Sequence, residues 1–151
     1  MSEVNSNEEI LEFAIAREVE ACYFYLALAG RVDNPRMRKV FEELAEEELE
    51  HKRKLELEIM KLGKTVSTEV QAGRPSGDYI LADDRAVLDM DYKDVLLLAM
   101  EKEDAAFRIY VNLLGTVGDE QSREVLLAIA QEEVRHKLRF EAEYDALLKE
   151  A

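Results

Sequence analysis

The sequence contains a single cysteine, Cys22, and therefore no pair that could close a disulfide or form a CxxC metal motif. An internal disulfide and a cysteine zinc knuckle are excluded. A chain without disulfides suits a reducing compartment. Its acidic and polar beginning, MSEVNSNEEI, does not resemble a signal peptide. We therefore expect a cytoplasmic protein.

Basic residues are in the minority, with 20 Lys and Arg against 34 Asp and Glu and a net charge of -14. The chain offers no basic stripe that could displace counterions from nucleic acid phosphates. The same deficit argues against binding to an anionic membrane surface. No apolar run approaches the roughly 18 residues of a membrane span. Neither nucleic acid nor a membrane is expected as a partner.

Glycine and proline are scarce, with six and two copies, while 48% of the residues are hydrophobic and 36% are charged. This mixture, rich in Ala, Leu, Glu, Lys and Arg, is typical of a folded, helix-rich protein. The helix start and stop signals divide the sequence into four helical segments. The first helix is predicted to start at a Ser6/Glu9 capping box and to end at Gly30, and the second to run from Asn34-Pro35 to Gly63. The third is predicted from Asp91 to Gly115, and the fourth from Asp119 almost to the terminus.

Short connections pair these segments into two antiparallel hairpins, at about 6–62 and 91–149. The residues between the hairpins, 63–90, have weak periodicity and are numerous enough to return along the bundle as a crossover. A short strand or helical turn is allowed near Asp78–Ala82. We predict one all-α domain over 1–151, a four-helix bundle with a single long crossover.

A shift of 85 residues overlays the two hairpins without a gap. It aligns AIAREVEACYFYLALAG, from Ala14, with AMEKEDAAFRIYVNLLG, from Ala99, and matches Glu18 to Glu103. Most identical positions in this stretch are three or four residues apart, which is the spacing of the inward face of a bundle helix. The sequence therefore has an internal pseudo-twofold repeat, and Glu18 and Glu103 are expected to point into the core.

The same shift overlays two Glu-x-x-His motifs, Glu48 with His51 and Glu133 with His136, which contain the only two histidines of the chain. Residues three apart are neighbours on one face of a helix. One such motif in a glutamate-rich chain is weak evidence. Two copies in register, each with a core glutamate 30 residues upstream, predict a metal site.

The charge of these residues indicates how many ions they hold. Four buried carboxylates in one layer repel each other, and a buried carboxylate without a partner normally becomes neutral. Two divalent cations would balance four carboxylates and two neutral imidazoles. The donor set suits iron or manganese; zinc usually has fewer carboxylates, and calcium or magnesium would not favour histidine. The competing interpretation, a bundle without metal, leaves four inward glutamates uncompensated.

In these motifs, and over both hairpins, the sequence resembles the ferritin-like di-iron family, and most closely the erythrin domain of rubrerythrins. The resemblance implies a ferritin-like four-helix bundle with two iron ions and, together with the apolar faces of the bundle, a homodimer. It also implies individual roles. Glu18 and Glu103 resemble the terminal carboxylates, Glu48 and Glu133 the bridging carboxylates, and His51 and His136 the imidazoles of the two irons.

Two departures limit what the resemblance implies. Rubrerythrins usually carry a rubredoxin-like module with paired CxxC motifs, which this chain lacks, so electrons would come from an external donor protein such as a rubredoxin. Rubrerythrins also have an extra glutamate one turn after the third-helix ligand, where this chain has Ala106, the repeat partner of Ala21. Peroxide reduction of the rubrerythrin type is therefore in question. The remaining set of four Glu and two His also resembles the ferroxidase centre of bacterioferritin.

Other residues near the motifs have two interpretations each. Tyr25 and Tyr110 lie two turns from the core glutamates on the same face; they either hydrogen-bond a ligand or, as is commoner, pack in the core. Cys22 is close to Glu18 in sequence but aligns with Phe107 in the repeat, which favours apolar packing.

The run EELAEEELE, from Glu42, contains one predicted ligand, Glu48. Its other glutamates are expected to form a solvated helix face. Glu47 is repeated as Glu132 but lies one residue away from the ligand position.

The leading functional hypothesis is an oxidoreductase in which a di-ferrous centre passes two electrons to hydrogen peroxide or dioxygen. The peroxide-consuming role follows from the resemblance alone. The first alternative is a ferroxidase or iron-handling protein, in which iron is a substrate as well as a cofactor. The second is a metal-binding interaction module without catalysis.

Overall fold

The computed structural model describes residues 2–65 and 91–150, and the side chains from Asn7 onward in the first of these ranges. Four helices account for almost all of both ranges, and neither range contains a strand. None of these helices is both long enough and apolar enough to span a membrane. The helices are α1 (Ser2–Arg31), α2 (Pro35–Lys61), α3 (Tyr92–Leu114) and α4 (Glu120–Glu150).

Side-chain caps hold the first turns of three helices. Asn34 Oδ1 accepts hydrogen bonds from the backbone N–H groups of Arg36 (2.9 Å) and Met37 (3.2 Å). Asp91 and Asp119 cap α3 and α4 in the same way. These bonds satisfy N–H groups that have no partner inside the helix. The three caps lie where the sequence predicted helix starts.

The predicted start of the first helix was wrong. Helix α1 begins at Ser2, so both Ser6 and Glu9 lie inside it. A Ser-x-x-Glu pattern is compatible with a helix interior because serine costs only a few tenths of a kcal/mol there. The pattern alone therefore does not distinguish a first turn from a continuing helix. The predicted end of the second helix is confirmed. Gly63 has a φ of 82° and follows the last turn of α2.

Helices α1 and α2 pack against each other as one hairpin, and α3 and α4 form the other. The predicted crossover over 63–90 and its suggested short element at Asp78–Ala82 lie outside the described residues from Val66 onward. The extent of a single domain over 1–151 therefore stays a prediction.

The core consists of two apolar clusters at opposite ends of the bundle. In every helix, the residues of one cluster precede a buried polar segment and the residues of the other cluster follow it. In α1, for example, Leu11 and Ile15 belong to one cluster and Tyr25 and Leu28 to the other, with Glu18 between them. Antiparallel packing therefore brings the four polar segments into one layer at mid-height.

Aromatic rings close one side of this layer. The ring centroids of Tyr25, Phe41 and Phe140 lie 5.8 to 6.1 Å from one another, and all three side chains are buried. Rings at this separation add to the free energy gained by burial alone. The cluster joins α1, α2 and α4.

We expect Phe41→Ala to lower the free energy of unfolding by about 3–5 kcal/mol, because it removes a buried ring and leaves a cavity. Urea unfolding of chelator-treated protein, followed by circular dichroism, measures the loss. Phe13→Ala is the matched control, since Phe13 is 48% exposed and its truncation should cost roughly 0.5 kcal/mol or less. Similar losses for both variants would contradict this assignment of the core.

Candidate metal centre

The buried polar layer contains all the residues that the sequence predicted as metal ligands. Each of them exposes at most 4% of its surface. Charged side chains are almost never this buried unless they are paired or bind a metal. They are Glu18 from α1, Glu48 and His51 from α2, Glu103 from α3, and Glu133 and His136 from α4.

The six side chains form two adjacent groups of candidate donor atoms. In one group, donor atoms of Glu48, Glu103, Glu133 and His136 all lie within 4.8 Å of one another. In the other group, donor atoms of Glu18, Glu48 and His51 lie within the same distance of one another. Glu48 belongs to both groups, as a bridging carboxylate would. Glu133 belongs to one group only, so its bridging role stays a prediction.

The imidazole rings of His51 and His136 are stacked with centroids 6.2 Å apart. Each ring turns Nδ1 toward the carboxylates. His51 Nδ1 lies 3.1 Å from an oxygen of Glu18 and 3.1 Å from one of Glu48. His136 Nδ1 lies 3.3 Å from an oxygen of Glu133. Nδ1 is therefore the ring atom available to a cation in both halves.

In the metal-free protein, the carboxylates and imidazoles of the layer retain protons where cations would otherwise bind. Burial, and then the charge of Glu18, raise the pKa of Glu48 well above its ordinary value. Burial and the charge of Glu103 raise the pKa of Glu133 to about 8. Burial alone would lower the pKa of His51, but the hydrogen bond and charge of Glu18 raise it to about 9. The negative charge of the layer contributes to all three pKa shifts, and burial contributes more to those of the two glutamates.

Unsatisfied polar atoms test whether the layer fits metal ions. In the described part of the chain, seven buried side-chain atoms have no hydrogen-bond partner, and five of them belong to predicted ligands. They are both carboxylate oxygens of Glu48, Oε1 of Glu103, Oε1 of Glu133 and Nδ1 of His136. A buried polar atom without a partner costs about 1–3 kcal/mol. Cations would satisfy all five atoms and neutralise the carboxylates, so the residues fit a two-metal centre.

Two tyrosines connect the hairpins at this layer. The Tyr25 hydroxyl on α1 donates a hydrogen bond to Glu103 on α3, and the Tyr110 hydroxyl on α3 donates one to Glu18 on α1. Burial and the neighbouring carboxylates raise the pKa of both hydroxyls, so each stays a donor. Of the two interpretations open from the sequence, the structure supports the hydrogen bond to a predicted ligand. The rings also pack in the core.

Cys22 lies in the apolar cluster beside the layer. Burial, and then the charges of Glu46 and Glu18, raise the pKa of its thiol to about 11. The thiol is therefore neutral at physiological pH, which agrees with the packing role that the repeat favoured.

Sequence analysis missed the outer partners of the histidines, Glu47 and Glu132. Glu47 Oε1 lies 2.8 Å from His136 Nε2, and Glu132 Oε1 lies 2.5 Å from His51 Nε2. Glu47 was predicted to lie on a solvated helix face, and it is exposed, but its carboxylate is also paired with His136. Glu47 is 48% exposed and Glu132 only 30%, and each reaches across to the opposite hairpin. Their repetition at the same position of both motifs was the available signal.

Glu47→Gln and Glu132→Gln are each expected to weaken metal binding about 10–100-fold. A carboxylate at Nε2 keeps the proton on that atom and leaves Nδ1 free for a cation, whereas an amide does so less strongly. Calorimetric titration with Co²⁺ measures the change. Glu50→Gln is the matched control, because Glu50 is exposed and pairs with Arg53 at 2.8 Å. An unchanged affinity in both test variants would exclude this role.

The chain is similar to known proteins in sequence and in fold. The profile of the rubrerythrin family matches residues 9–144. The structure resembles that of a Desulfovibrio desulfuricans bacterioferritin, described as having a diiron site in different catalytic states, with a TM-score of 0.77. The match covers 98% of this chain and 83% of that chain at 18% identity, and therefore supports the fold alone. No curated protein sequence matches the chain. With four helices in ferritin-like hairpins and a family match over most of its length, the chain belongs to the rubrerythrin family.

Proposed function

We propose that the chain is a di-iron oxidoreductase that reduces hydrogen peroxide with electrons from an external donor. One turnover consumes one peroxide, two electrons and two protons, and yields two water molecules. The observation that carries the proposal is the buried layer of four carboxylates and two imidazoles, in which five atoms lack hydrogen-bond partners and donor atoms lie within 4.8 Å of one another in two groups. Bound iron would supply the two electrons and the positive charge that the layer lacks.

The protein side chains hold the donor atoms in place before any metal arrives. Glu18 and Glu103 are oriented by tyrosine hydroxyls from the opposite hairpin. Both imidazoles are oriented by outer carboxylates. A preorganised set of this kind lowers the reorganisation that accompanies a change in metal charge. The tyrosine protons stay on their hydroxyl oxygens because the pKa of each group is raised.

The donor set favours iron or manganese over zinc, calcium and magnesium. Four carboxylates with two imidazoles suit iron, and manganese has similar preferences. The chain contains no CxxC motif, so we propose a separate redox protein, such as a rubredoxin, as the electron donor. A homodimer in the cytoplasm is part of the same proposal.

Stopped-flow mixing of anaerobic protein, loaded with two equivalents of Fe²⁺, with peroxide or with dioxygen tests this function. We expect faster oxidation by peroxide, and no ferric mineral when Fe²⁺ is in excess. Faster oxidation by dioxygen with mineral formation would favour the ferroxidase alternative, which the alanine at position 106 keeps open. A sample that binds only zinc and does not cycle between redox states would indicate a non-catalytic module.

A further inference from the structure

A small cavity opens between α1 and α3 and ends at the carboxylate layer. Its volume is about 40 Å³. Buried carboxylates, among them Glu48 and Glu133, line its inner end, and the half-exposed side chains of Arg17 and Glu20 line its outer end. It is therefore a passage from the surface to the atoms that lack hydrogen-bond partners.

Two alanines create this space. Ala21 and Ala106 both line the cavity and are partners in the internal repeat. Each lies three residues after a glutamate of the layer and so shares its helix face. One turn further on, the larger side chains of Tyr25 and Tyr110 also line the space. A side chain larger than a methyl group at either alanine would occupy much of the volume.

The opposite approach to the layer, between α2 and α4, is a surface pocket of about 290 Å³ whose lining includes Glu132 and His136 but neither Glu48 nor Glu133. Both histidine Nε2 atoms are already paired there with Glu47 and Glu132. A molecule arriving from that direction meets the outer side of the imidazoles. Glu48 and Glu133, which carry unsatisfied oxygens, line the α1–α3 cavity instead.

The volume limits what can enter. A water molecule needs about 10–15 Å³ in this measure, so the cavity has room for about three waters or a small molecule of similar size. Hydrogen peroxide and dioxygen fit this limit. Organic hydroperoxides with branched carbon groups exceed it. The carboxylate and tyrosine oxygens around the inner end suit a polar, hydrogen-bonding guest.

We propose that this cavity is the oxidant-binding site, and that Ala21 and Ala106 restrict it to hydrogen peroxide or similarly small molecules. The inference rests on the proposed di-metal function and adds a size limit on the oxidant and the two residues that set it. Neither alanine is a predicted metal ligand. Substituting them should therefore change access to the cavity without changing metal binding.

The first test measures access without turnover. The parent and the Ala21→Val/Ala106→Val variant are loaded with Co²⁺ and titrated with azide, a small linear anion, while the cobalt absorption is recorded. Both proteins should bind two Co²⁺ per chain, and azide affinity should fall about tenfold or more in the variant because its methyl groups overfill the cavity. Ala105→Val is the matched control, since Ala105 is exposed on the same helix and should leave azide affinity unchanged.

The second test enlarges the cavity. Ala21→Gly and Ala106→Gly should increase the rate with tert-butyl hydroperoxide relative to that with hydrogen peroxide, while the parent should react far faster with hydrogen peroxide. These variants also keep the inference testable if the valine variant does not fold. A parent that binds no metal would contradict the proposed function itself. Normal metal binding with unchanged azide affinity in the valine variant, or a parent that reacts equally fast with both peroxides, would overturn the cavity assignment alone.

Discussion

Replacing Glu48 with glutamine should stabilise the metal-free protein and, at the same time, prevent it from holding two metal ions. Glu48 is fully buried, neither of its oxygens makes a hydrogen bond although one lies 3.1 Å from His51 Nδ1, and burial with the charge of Glu18 raises its pKa. A neutral amide of the same shape removes the repulsion and can donate hydrogen bonds to neighbouring carboxylates. We expect a gain of about 1–3 kcal/mol at pH 8.

For a chain of this length, such a gain raises the Tm by roughly 2–4 °C per kcal/mol. Calorimetry in the presence of a chelator measures it. Co²⁺ titration of the same variant should give one equivalent or less, because Glu48 is the carboxylate common to both donor groups. Opposite effects on stability and binding are typical of residues retained for function.

Glu58→Gln is the control for this experiment. Glu58 is also buried, but it lies outside the layer and pairs with Lys61 at 3.0 Å. Removing its charge breaks an existing pair and should not stabilise the protein. A lower Tm for metal-free Glu48→Gln would show that repulsion between the carboxylates of the layer does not destabilise the protein.

The metal-free protein should lose stability as the pH rises from about 5 to about 9. The pKa of Glu133 is raised from 4.5 to about 8, and that of His51 from 6.5 to about 9. Between these values the folded state binds more protons than the unfolded state, so the free energy of unfolding decreases with pH. We expect the Tm at pH 9 to lie about 10 °C below that at pH 6.

Scanning calorimetry with a chelator, at a series of pH values, checks this slope. The Glu133→Gln/His51→Gln variant should lose part of it, since two groups with raised pKa values are absent while Glu48 and His136, whose pKa values are also raised, remain. A Tm that is constant or rises over this range in the unmodified protein would contradict the prediction.

Metal ions should oppose this loss of stability at higher pH. They compete with the protons on the carboxylates and imidazoles, so binding releases protons and becomes tighter as the pH rises. The difference in Tm between the loaded and the metal-free protein should therefore grow from pH 6 to pH 9. Titration in two buffers of different ionisation enthalpy measures the protons released.

Local signals in the sequence predicted most helix ends, for a physical reason that lies within each segment. Asn34 followed by Pro35 predicts a cap because a short polar side chain reaches the N–H groups of the next turn. Gly63 predicts a stop because its backbone adopts a positive φ at little cost. The Ser6 pattern failed because the same residues are tolerated inside a helix that continues.

These local signals did not predict which side chains contact each other between helices. The repeat placed Tyr25 and Tyr110 on the inward faces, but it did not indicate that each hydroxyl reaches a glutamate of the other hairpin. Glu47 and Glu132 look like surface residues within their own helices, yet both contact a histidine across the bundle. These contacts depend on how the helices are rotated and spaced.

The amino-acid sequence was sufficient to predict which side chains share a face and at what height along each helix they lie. That follows from a helical period of 3.6 residues and from the internal repeat, and it was sufficient to identify six candidate ligands and to expect two cations. The contacts between atoms became evident from the packed bundle: Nδ1 faces the centre, Nε2 faces the outer carboxylates, and a space is open at Ala21 and Ala106. Helical periodicity is a property of one segment, whereas distances across a bundle depend on the packing of all four helices.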